Sequence, residues 1–224
     1  MTATGNPLPV VILISGTGSN MCRMAELMHA GKLPICIKAV ISDRADAKGL
    51  SIAKSMGLTT DSLNPKAFAN RSEFDAALAE KILSHQPELV ILAGFMRILS
   101  AEFVATFADR MLNIHPSLLP KYPGLHTHQR ALDAGDQLHG ASVHFVTAEL
   151  DGGPIVIQAK VPILKEDTAD ILAKRVQQQE HQIYPLAVEL FATGRLHSHS
   201  GKAWLDGKAL NTPLHYSTQT HSFV

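Results

Sequence analysis

Short apolar runs alternate with helical patterns along the first half of the chain. The runs are continuous and rich in Val, Ile and Leu, which is typical of strands covered on both faces. Four of them are predicted strands: Pro9–Ile14, Ile35–Ser42, Thr59–Leu63 and Glu88–Ala93. The patterns between them predict helices from Met21 to Gly31, over Ala45–Met56 and over Pro65–His85. Because strand and helix alternate, we expect a mostly parallel, Rossmann-like, doubly wound α/β sheet.

The second half of the chain predicts shorter elements. A helical pattern covers Ser100–Ala108, a strand ends near His115, and another helical pattern covers Thr127–Ala134. Apolar runs predict further strands at Leu138–Thr147 and Pro154–Pro162. We expect antiparallel strands in this C-terminal half of the fold.

A long helix is predicted to begin at Asp167, with Asp170 in position to cap it reciprocally. Its apolar stripe comprises Ile171, Leu172, Val176, Ile183, Leu186 and Leu190. Past Gly194, the chain predicts a small hairpin over Leu196–Leu210 with Asp206-Gly207 at its turn, and a loose polar tail over Asn211–Val224.

Composition and charge exclude some classes of partner. Hydrophobic residues make up 46% and charged residues 18% of the 224, which is typical of a folded globular protein. Lys plus Arg and Asp plus Glu number 20 each, and the isoelectric point is near 7.2. We therefore expect no nucleic-acid partner, whereas a small phosphorylated ligand is compatible with this charge.

The two cysteines and the N-terminus bear on the compartment. Cys22 and Cys36 form no Cys-x-x-Cys motif and are too few for a disulfide scaffold, so we expect free thiols in a reducing compartment. The run Val10–Ile14 is far shorter than a membrane span, and the N-terminus lacks the basic region of a signal peptide. We expect a cytoplasmic protein with no membrane partner.

The strongest chemical candidate in the sequence is the stretch from Asn113 to Pro116. Asn113 and His115 are two residues apart, so in an extended backbone both side chains leave the same face. Pro116 disfavours helical backbone at His115, and further prolines stiffen the loop that follows. Such stiffness suits a positioned proton donor. Taken alone, the same pattern is compatible with a turn cap and a structural histidine.

A sharp turn over Glu149–Pro154 supplies a carboxylate that could act with His115. Two glycines followed by a proline can present Asp151 without burying its backbone, although Asp-Gly is also common in ordinary loops. Upstream, Gly94–Leu99 follows a predicted strand at its C-terminal end, where ligands bind in open α/β sheets. Its Met and aliphatic groups would form the walls of a slot for a flat ring, or simply pack in the core.

The glycine turn Ser15–Asn20 lies between the first predicted strand and its helix. Free N–H groups of Gly18, Ser19 and Asn20 at a helix start would favour an anion. Met21 stands where a dinucleotide fingerprint needs its third glycine, even though Asp43 could serve as the ribose-binding acid. We therefore expect a monophosphate rather than a pyrophosphate here. A plain turn without a ligand is the alternative.

The twelve histidines also raise the hypothesis of a metal site. His126-x-His128 and His197-x-His199 could each place two ligands on one side, but neither has a cysteine or carboxylate companion at metal-site spacing. We expect no metal.

Four segments together resemble the phosphoribosylglycinamide formyltransferases, a family within the formyltetrahydrofolate-using superfamily. They are Ser15–Asn20, Ala93–Ser100, Asn113–Gly124 and Glu149–Pro154. The resemblance implies that 10-formyltetrahydrofolate, acting as a cosubstrate, donates a formyl group to the amine of glycinamide ribonucleotide in purine synthesis. Residues 1–194 would form the formyltransferase domain, with 195–224 a hairpin and tail of the same domain.

The resemblance also implies residue roles. The catalytic set would be Asn113, His115 and Asp151. The substrate phosphate would bind at Gly18, Ser19 and Asn20, and its remaining polar groups at Gln177 and Glu180. The folate would contact Arg71, Met96, Arg97, Ile98, Leu99, Asn113, Thr147 and Asp151. The partners would be these small molecules only, and the chain a monomer or a homodimer.

This pattern fits other enzyme classes less well. A methionyl-tRNA formyltransferase would normally add a C-terminal RNA-binding domain and more positive charge, and a formyltetrahydrofolate hydrolase a regulatory domain ahead of the catalytic one. We expect neither domain in this chain. A NAD-dependent dehydrogenase is disfavoured by Met21, and a silent nucleotide-binding module by the presence of all three polar catalytic candidates.

Overall fold

The computed structural model describes residues 6–217 and the backbone of residues 222–223. In its first half, strands and helices alternate as predicted. The strands are β1 (Leu8–Ile14), β2 (Ile35–Ser42), β3 (Thr60–Ser62), β4 (Leu89–Leu92) and β5 (Met111–His115). The helices are α1 (Ser19–His29), α2 (Lys48–Ser55), α3 (Arg71–Ser84) and α4 (Ala101–Thr106).

The second half contains two further helices and the remaining strands. The helices are α5 (Thr127–Asp133) and α6 (Ala169–Ala192). The strands are β6 (Leu138–Phe145), β7 (Ile155–Pro162), β8 (Leu196–His199), β9 (Lys202–Leu205), β10 (Lys208–Ala209), β11 (Leu214–Ser217) and β12 (Ser222–Phe223).

One nine-stranded sheet organises the fold, in the order β12-β11-β7-β6-β5-β4-β1-β2-β3. Strands β1 to β5 are parallel to one another, whereas β6 is antiparallel to both β5 and β7. The predicted α/β class, with antiparallel strands in the C-terminal half, is therefore confirmed. Because β1, β4 and β5 are parallel and adjacent, their C-terminal ends meet at one edge, where ligands bind in such sheets.

The sheet separates two apolar layers. On one face, Val10, Ile12 and Ile14 belong to a buried cluster that includes residues of α1 and α6. On the other, Val11 and Leu13 pack in a cluster with residues of α3 and α4. Alternate side chains of β1 thus enter opposite layers, which explains why its sequence is apolar throughout.

A buried phenol fixes α6 against the strand ends. The Tyr184 side chain is fully buried, and its hydroxyl lies 3.0 Å from the Leu92 carbonyl and 2.8 Å from the Leu112 carbonyl. These carbonyls belong to β4 and β5, so one side chain holds the helix to the pair of strands that lead into the predicted site. Its donated hydrogen is shared between two acceptors that are otherwise shielded from water.

The helical pattern predicted over Pro65–His85, with Arg71 on the helix or in a break near its start, is interrupted there in the structure. A 3-10 turn covers Pro65–Ala67, and α3 begins only at Arg71. The Asn70 side chain accepts the Glu73 N–H at 3.0 Å and so caps the helix at this point. Arg71 therefore lies in the first turn of α3.

The predicted start of α6 at Asp167 is wrong. Thr168 caps the helix by accepting the Ile171 N–H at 3.3 Å, and Asp167 instead binds the guanidinium of Arg175. Asp170 therefore lies one position too early for a reciprocal cap, which requires the third helical residue. Ile171 is 46% exposed and does not belong to the buried stripe, whereas the other predicted stripe residues are buried or half-buried.

The C-terminal segment is more ordered than predicted. The turn at Asp206-Gly207 is confirmed, but a second turn at Ser200-Gly201 makes β8–β10 a three-stranded antiparallel sheet. Within the predicted tail, β11 pairs in parallel with β7 and β12 pairs with β11. Residues 218–221 and 224 of that predicted tail lie outside the described residues. The division of the chain at residue 194 stays a prediction.

Two further sequence expectations can be compared with the structure. Cys22 and Cys36 are free thiols, both half-buried. Among the helices of the described residues, none is both long and apolar enough to cross a bilayer.

We predict that Tyr184→Phe lowers the free energy of unfolding by about 1–3 kcal/mol, because it leaves two buried carbonyls without their donor while keeping the ring. Urea denaturation measures the change. Ile171→Ala on the exposed side of the same helix is the control and should change the free energy by less than about 0.5 kcal/mol. Equal stability of Tyr184→Phe and the wild type would contradict the assigned role of the hydroxyl.

Candidate active site

Two polar side chains lie at the C-terminal end of β5, at the edge of the sheet. Asn113 and His115 leave one face of the strand as predicted, while Ile114 between them is buried in the apolar layer on the other side. Asn113 lies opposite Leu92 of β4 and His144 of β6 in the strand register. The C-terminal ends of β5 and β6 therefore bring an amide and two imidazoles together.

The His115 ring is buried, with a polar group near each nitrogen. Its side chain is 6% exposed; Nε2 lies 2.8 Å from the Tyr122 carbonyl, and Nδ1 lies 3.5 Å from Oδ2 of Asp151. A carbonyl only accepts, so Nε2 carries the hydrogen. Burial lowers the pKa of His115 below its ordinary value, although the Tyr122 carbonyl and the Asp151 carboxylate both act to raise it.

Two opposing effects set this direction. The Asp151 carboxylate acts to raise the pKa of the imidazole. The cost of burying an imidazolium is larger, so the unliganded protein carries a neutral His115 at neutral pH.

Asp151 lies close to His115, to Gly124 of the loop after β5 and to His144 of β6. Its Oδ2 accepts the Gly124 N–H at 2.8 Å, and its Oδ1 lies 3.6 Å from Nε2 of His144. Burial acts to raise the pKa of this carboxyl, but its polar surroundings, among them the hydrogen bond from the Gly124 N–H, lower the pKa overall. Asp151 also has a backbone φ of 52°, in the left-handed region that aspartate tolerates better than most residues.

Sequence reasoning missed His144. Its Nδ1 lies 2.8 Å from the Phe145 carbonyl, and its Nε2 lies 3.1 Å from Nδ2 of Asn113. If Nδ1 donates to the carbonyl, the neutral ring accepts one N–H of the Asn113 amide at Nε2. The second amide hydrogen of Asn113 then remains available to the cleft. Only the register of β5 against β6 reveals this contact, since thirty-one positions separate the two residues along the chain.

A cleft of about 490 Å³ lies at the edge of the sheet, and His144 lines only a smaller pocket beside it. Asn113, His115 and Asp151 form its polar side. Four exposed apolar side chains line it as well: Met96, Ile98, Leu125 and Leu150, each between 49% and 67% exposed. Exposed apolar groups gathered around a cleft mark a binding site for an apolar or flat ligand.

Three of the other four predicted folate-contact residues line this cleft or a pocket beside it. Arg97 lines it, and its guanidinium carbon lies 4.8 Å from the centroid of the Phe74 ring. Leu99 and Thr147 line a small adjoining pocket of about 90 Å³ that shares Asn113 and Asp151 with the cleft. Arg71 does not line either space; its Nε lies 3.6 Å from Oδ2 of buried Asp75.

The glycine turn forms a second polar group on the same side of the molecule. Gly18 begins α1 with a left-handed φ of 69°, and no side chain caps the helix start. The N–H groups there are therefore directed at solvent or at a ligand. Gly18 is tightly packed: a Cβ on it would lie 3.1 Å from the Met21 methyl and 3.3 Å from the Gly49 Cα.

Helix α6 contacts this turn through the two predicted polar residues. Nε2 of Gln177 donates to Ser19 Oγ at 3.0 Å, and Nδ2 of Asn20 donates to Glu180 at 2.8 Å. Burial raises the pKa of Glu180, while the bond from Asn20 acts in the opposite direction. Oδ1 of Asn20 is buried without a hydrogen-bond partner among the described residues.

Residues 18–20, 177 and 180 do not line the cleft itself. The two groups are linked by Ser15, which the sequence did not single out for this role. Its N–H donates to the Gly94 carbonyl at 3.0 Å, and its hydroxyl accepts the Met96 N–H at 2.9 Å. The glycine turn and the apolar wall of the cleft are thus hydrogen-bonded neighbours.

Within the described part of the chain, no group of three or more His, Cys, Asp or Glu side chains is placed to hold an ion.

Known proteins share both this sequence and this fold. Residues 8–188 match the formyl transferase family model. The chain is 53% identical to phosphoribosylglycinamide formyltransferase of Escherichia coli (strain K12) over 90% of this chain and 95% of that protein. A solved phosphoribosylglycinamide formyltransferase from Coxiella burnetii aligns with a TM-score of 0.87 and 48% identity, over 91% of this chain and 96% of that one. The chain belongs to the phosphoribosylglycinamide formyltransferase family.

Membership in the phosphoribosylglycinamide formyltransferase family confirms the resemblance seen in the sequence and makes the chain a transferase of purine biosynthesis. The chain is also 42% identical to the trifunctional purine biosynthetic protein adenosine-3 of Homo sapiens, over 83% of this chain and 18% of that longer protein.

We predict that Asp151→Asn lowers the pKa of His115 further below 6.5, because the carboxylate stabilises the imidazolium. NMR titration of the imidazole measures this directly, without reference to turnover. Asp133→Asn, which neutralises an exposed carboxylate on α5, is the control and should leave the titration unchanged. An equal midpoint in Asp151→Asn and the wild type would contradict the coupling.

Proposed function

We propose that the chain transfers the formyl group of 10-formyltetrahydrofolate to the amine of 5-phosphoribosylglycinamide by direct attack through a tetrahedral intermediate. The observation that carries this proposal is the convergence of Asn113, His115 and Asp151 on the polar side of one cleft. Residues of these types can stabilise an oxyanion, accept a proton and support the resulting imidazolium. No metal takes part in the proposed reaction.

Phosphoribosylglycinamide is the substrate in the names of the relatives, and the glycine turn suits its phosphate. The uncapped start of α1 at Gly18, Ser19 and Asn20 offers directed N–H groups and the positive end of a helix dipole. Gln177 and Glu180, hydrogen-bonded to Ser19 and Asn20, would bind the remaining hydroxyl and amine groups. The Ser15 link to the cleft wall supports the proposal of one elongated substrate site that runs from the glycine turn to the cleft.

The donor would bind across the apolar side of the cleft. Met96, Ile98, Leu125 and Leu150 offer flat apolar contact to the ring of a reduced folate. Leu99 and Thr147 extend this surface into the adjoining pocket. The cations Arg97 and Arg71 would meet the acidic end of the donor.

Negative charge develops on the formyl oxygen when the amine attacks the formyl carbon. One amide hydrogen of Asn113 is bound to His144, and the second would donate to that oxygen. Because the other amide hydrogen is already bound, the Asn113 side chain is oriented before the reaction begins.

The attacking amine must also lose a proton. His115 is neutral and keeps a lone pair on Nδ1, since Nε2–H donates to Tyr122. Nδ1 would take the proton from the amine, directly or through water, and Asp151 would stabilise the imidazolium. His115 would then return the proton to the folate nitrogen as its bond to the formyl carbon breaks. Asp151 tunes and orients His115, and no covalent intermediate with the protein forms.

The first test measures formyl transfer by the folate absorbance change with and without phosphoribosylglycinamide. The proposal predicts product only when this acceptor is present. Folate product formed in its absence would indicate a hydrolase instead.

We predict that Asn113→Ala lowers kcat by about 10²–10³, which is typical for loss of one oxyanion donor. Steady-state kinetics at saturating substrates provide the measurement. Asn211→Ala, at an exposed loop position between β10 and β11, is the matched control and should keep wild-type turnover. Near-normal kcat in Asn113→Ala would reject the assigned role.

We predict that Gly18→Ala raises KM for phosphoribosylglycinamide and leaves KM for the folate nearly unchanged. The new Cβ would press on Gly49 and strain a left-handed backbone, which moves the N–H groups that face the phosphate. Gly31→Ala at the other end of α1 is the control, since Gly31 has a similar φ of 67° and nothing within 4 Å of a Cβ. Equal KM values in the two variants would contradict a phosphate site at Gly18.

A further inference from the structure

A three-residue stretch of loop contacts both members of the His115–Asp151 pair. The Tyr122 carbonyl accepts Nε2–H of His115 at 2.8 Å, and the Gly124 N–H donates to Asp151 Oδ2 at 2.8 Å. The spacing of imidazole and carboxylate therefore depends on the backbone of residues 122–124.

The Tyr122 carbonyl also selects the tautomer of His115. A carbonyl oxygen cannot donate, so its contact places the hydrogen of the neutral ring on Nε2 and leaves the lone pair on Nδ1. Nδ1 is the nitrogen 3.5 Å from Asp151. Loss of the carbonyl contact would let the ring carry its hydrogen on either nitrogen.

The Tyr122 backbone is strained. Its φ of 57° lies in the left-handed region, which a bulky side chain rarely adopts. Such a conformation persists only where surrounding contacts hold it, and it is found disproportionately at functional sites. Tyr122 would relax toward ordinary backbone angles without such contacts, and its carbonyl would turn away from His115.

The Asp136 carboxylate accepts hydrogen bonds from Tyr122 and from the neighbouring Lys121. Its Oδ2 accepts the Tyr122 hydroxyl at 2.8 Å, and its two oxygens accept from Lys121 Nζ at 2.8 and 2.9 Å. Arg130 also contacts this loop. Its Nη1 donates to the Pro123 carbonyl at 2.6 Å, and its guanidinium carbon lies 5.2 Å from the Tyr122 ring centroid.

We propose that the Tyr122 phenol and the Asp136 carboxylate are positioning residues that keep the Tyr122 carbonyl on His115 Nε2 and thereby fix the histidine tautomer. This inference rests on the proposed catalytic role of His115. Neither side chain needs to touch the substrates. Their effect passes through the backbone of the loop.

Several charged or titratable groups influence His115, so the variant must not alter them. They are Asp151, His144 and His139 of β6, and His128 and Arg130 of α5. Tyr122→Phe removes a single hydroxyl and changes none of these charges, which makes it a cleaner probe than a change at Arg130.

The experiment records nitrogen NMR spectra of the His115 imidazole together with steady-state kinetics. In Tyr122→Phe we expect a mixture of tautomers in place of the Nε2–H form, a lower pKa of His115, and kcat reduced about tenfold with little change in either KM. Asp133→Asn is the matched control on α5, since its carboxylate accepts from Gln129 instead, and it should leave all of these quantities unchanged.

A second set of variants guards against an effect of misfolding. Asp136→Ala should reproduce the changes of Tyr122→Phe, and Asp136→Asn, which retains an acceptor oxygen, should recover most of the activity. The double variant Tyr122→Phe/Asp136→Ala should be no slower than the slower single variant, because both changes break one contact. Urea denaturation of each variant identifies any global loss of stability.

The outcomes separate this inference from the proposed function. An unchanged tautomer in Tyr122→Phe and Asp136→Ala would overturn the inference, whether or not kcat falls. An altered tautomer with unchanged kcat would support the positioning role of Tyr122 and Asp136. It would overturn the catalytic role of His115 instead.

Discussion

The contact between the Asp151 carboxylate and the His115 imidazole is the interaction on which the rest of the site depends. The carboxylate is 9% exposed and the imidazole 6%, so each must be compensated by neighbouring polar groups. Gly124 and Tyr122 provide such groups from one loop, and His144 of β6 lies beside the carboxylate. The pair therefore forms only when β5, β6 and both loops reach their native positions, which couples the chemistry of the site to the topology of the sheet.

Burial and charge act on the pKa of His115 in opposite directions. In the proposed reaction, a neutral imidazole would take the proton of the amine, and the nearby carboxylate would stabilise the imidazolium until the proton passes to the leaving nitrogen. Hydrogen bonds hold the surrounding elements together: Tyr184 joins α6 to the ends of β4 and β5, and Ser15 joins the glycine turn to the cleft wall.

Local patterns were enough to predict much of this fold. Continuous apolar runs gave β1 and β2 almost to the residue, and the two-residue period of β5 correctly put Asn113 and His115 on one face. Contacts between distant segments were not accessible in this way. His144 meets Asn113 only through strand register, and β11 joins the sheet through β7 despite a polar sequence. The start of α6 was missed because Asp167 and Thr168 are both good caps, and the Arg175 guanidinium decides between them.

The most direct test of the account is a structure of the enzyme with phosphoribosylglycinamide and an unreactive analogue of 10-formyltetrahydrofolate bound together. The account predicts the phosphate on the N–H groups of Gly18–Asn20 and the formyl oxygen within hydrogen-bond distance of Asn113 Nδ2. It also predicts the amine within about 3.5 Å of the formyl carbon, beside His115. A phosphate bound elsewhere, or a formyl group remote from Asn113 and His115, would contradict it.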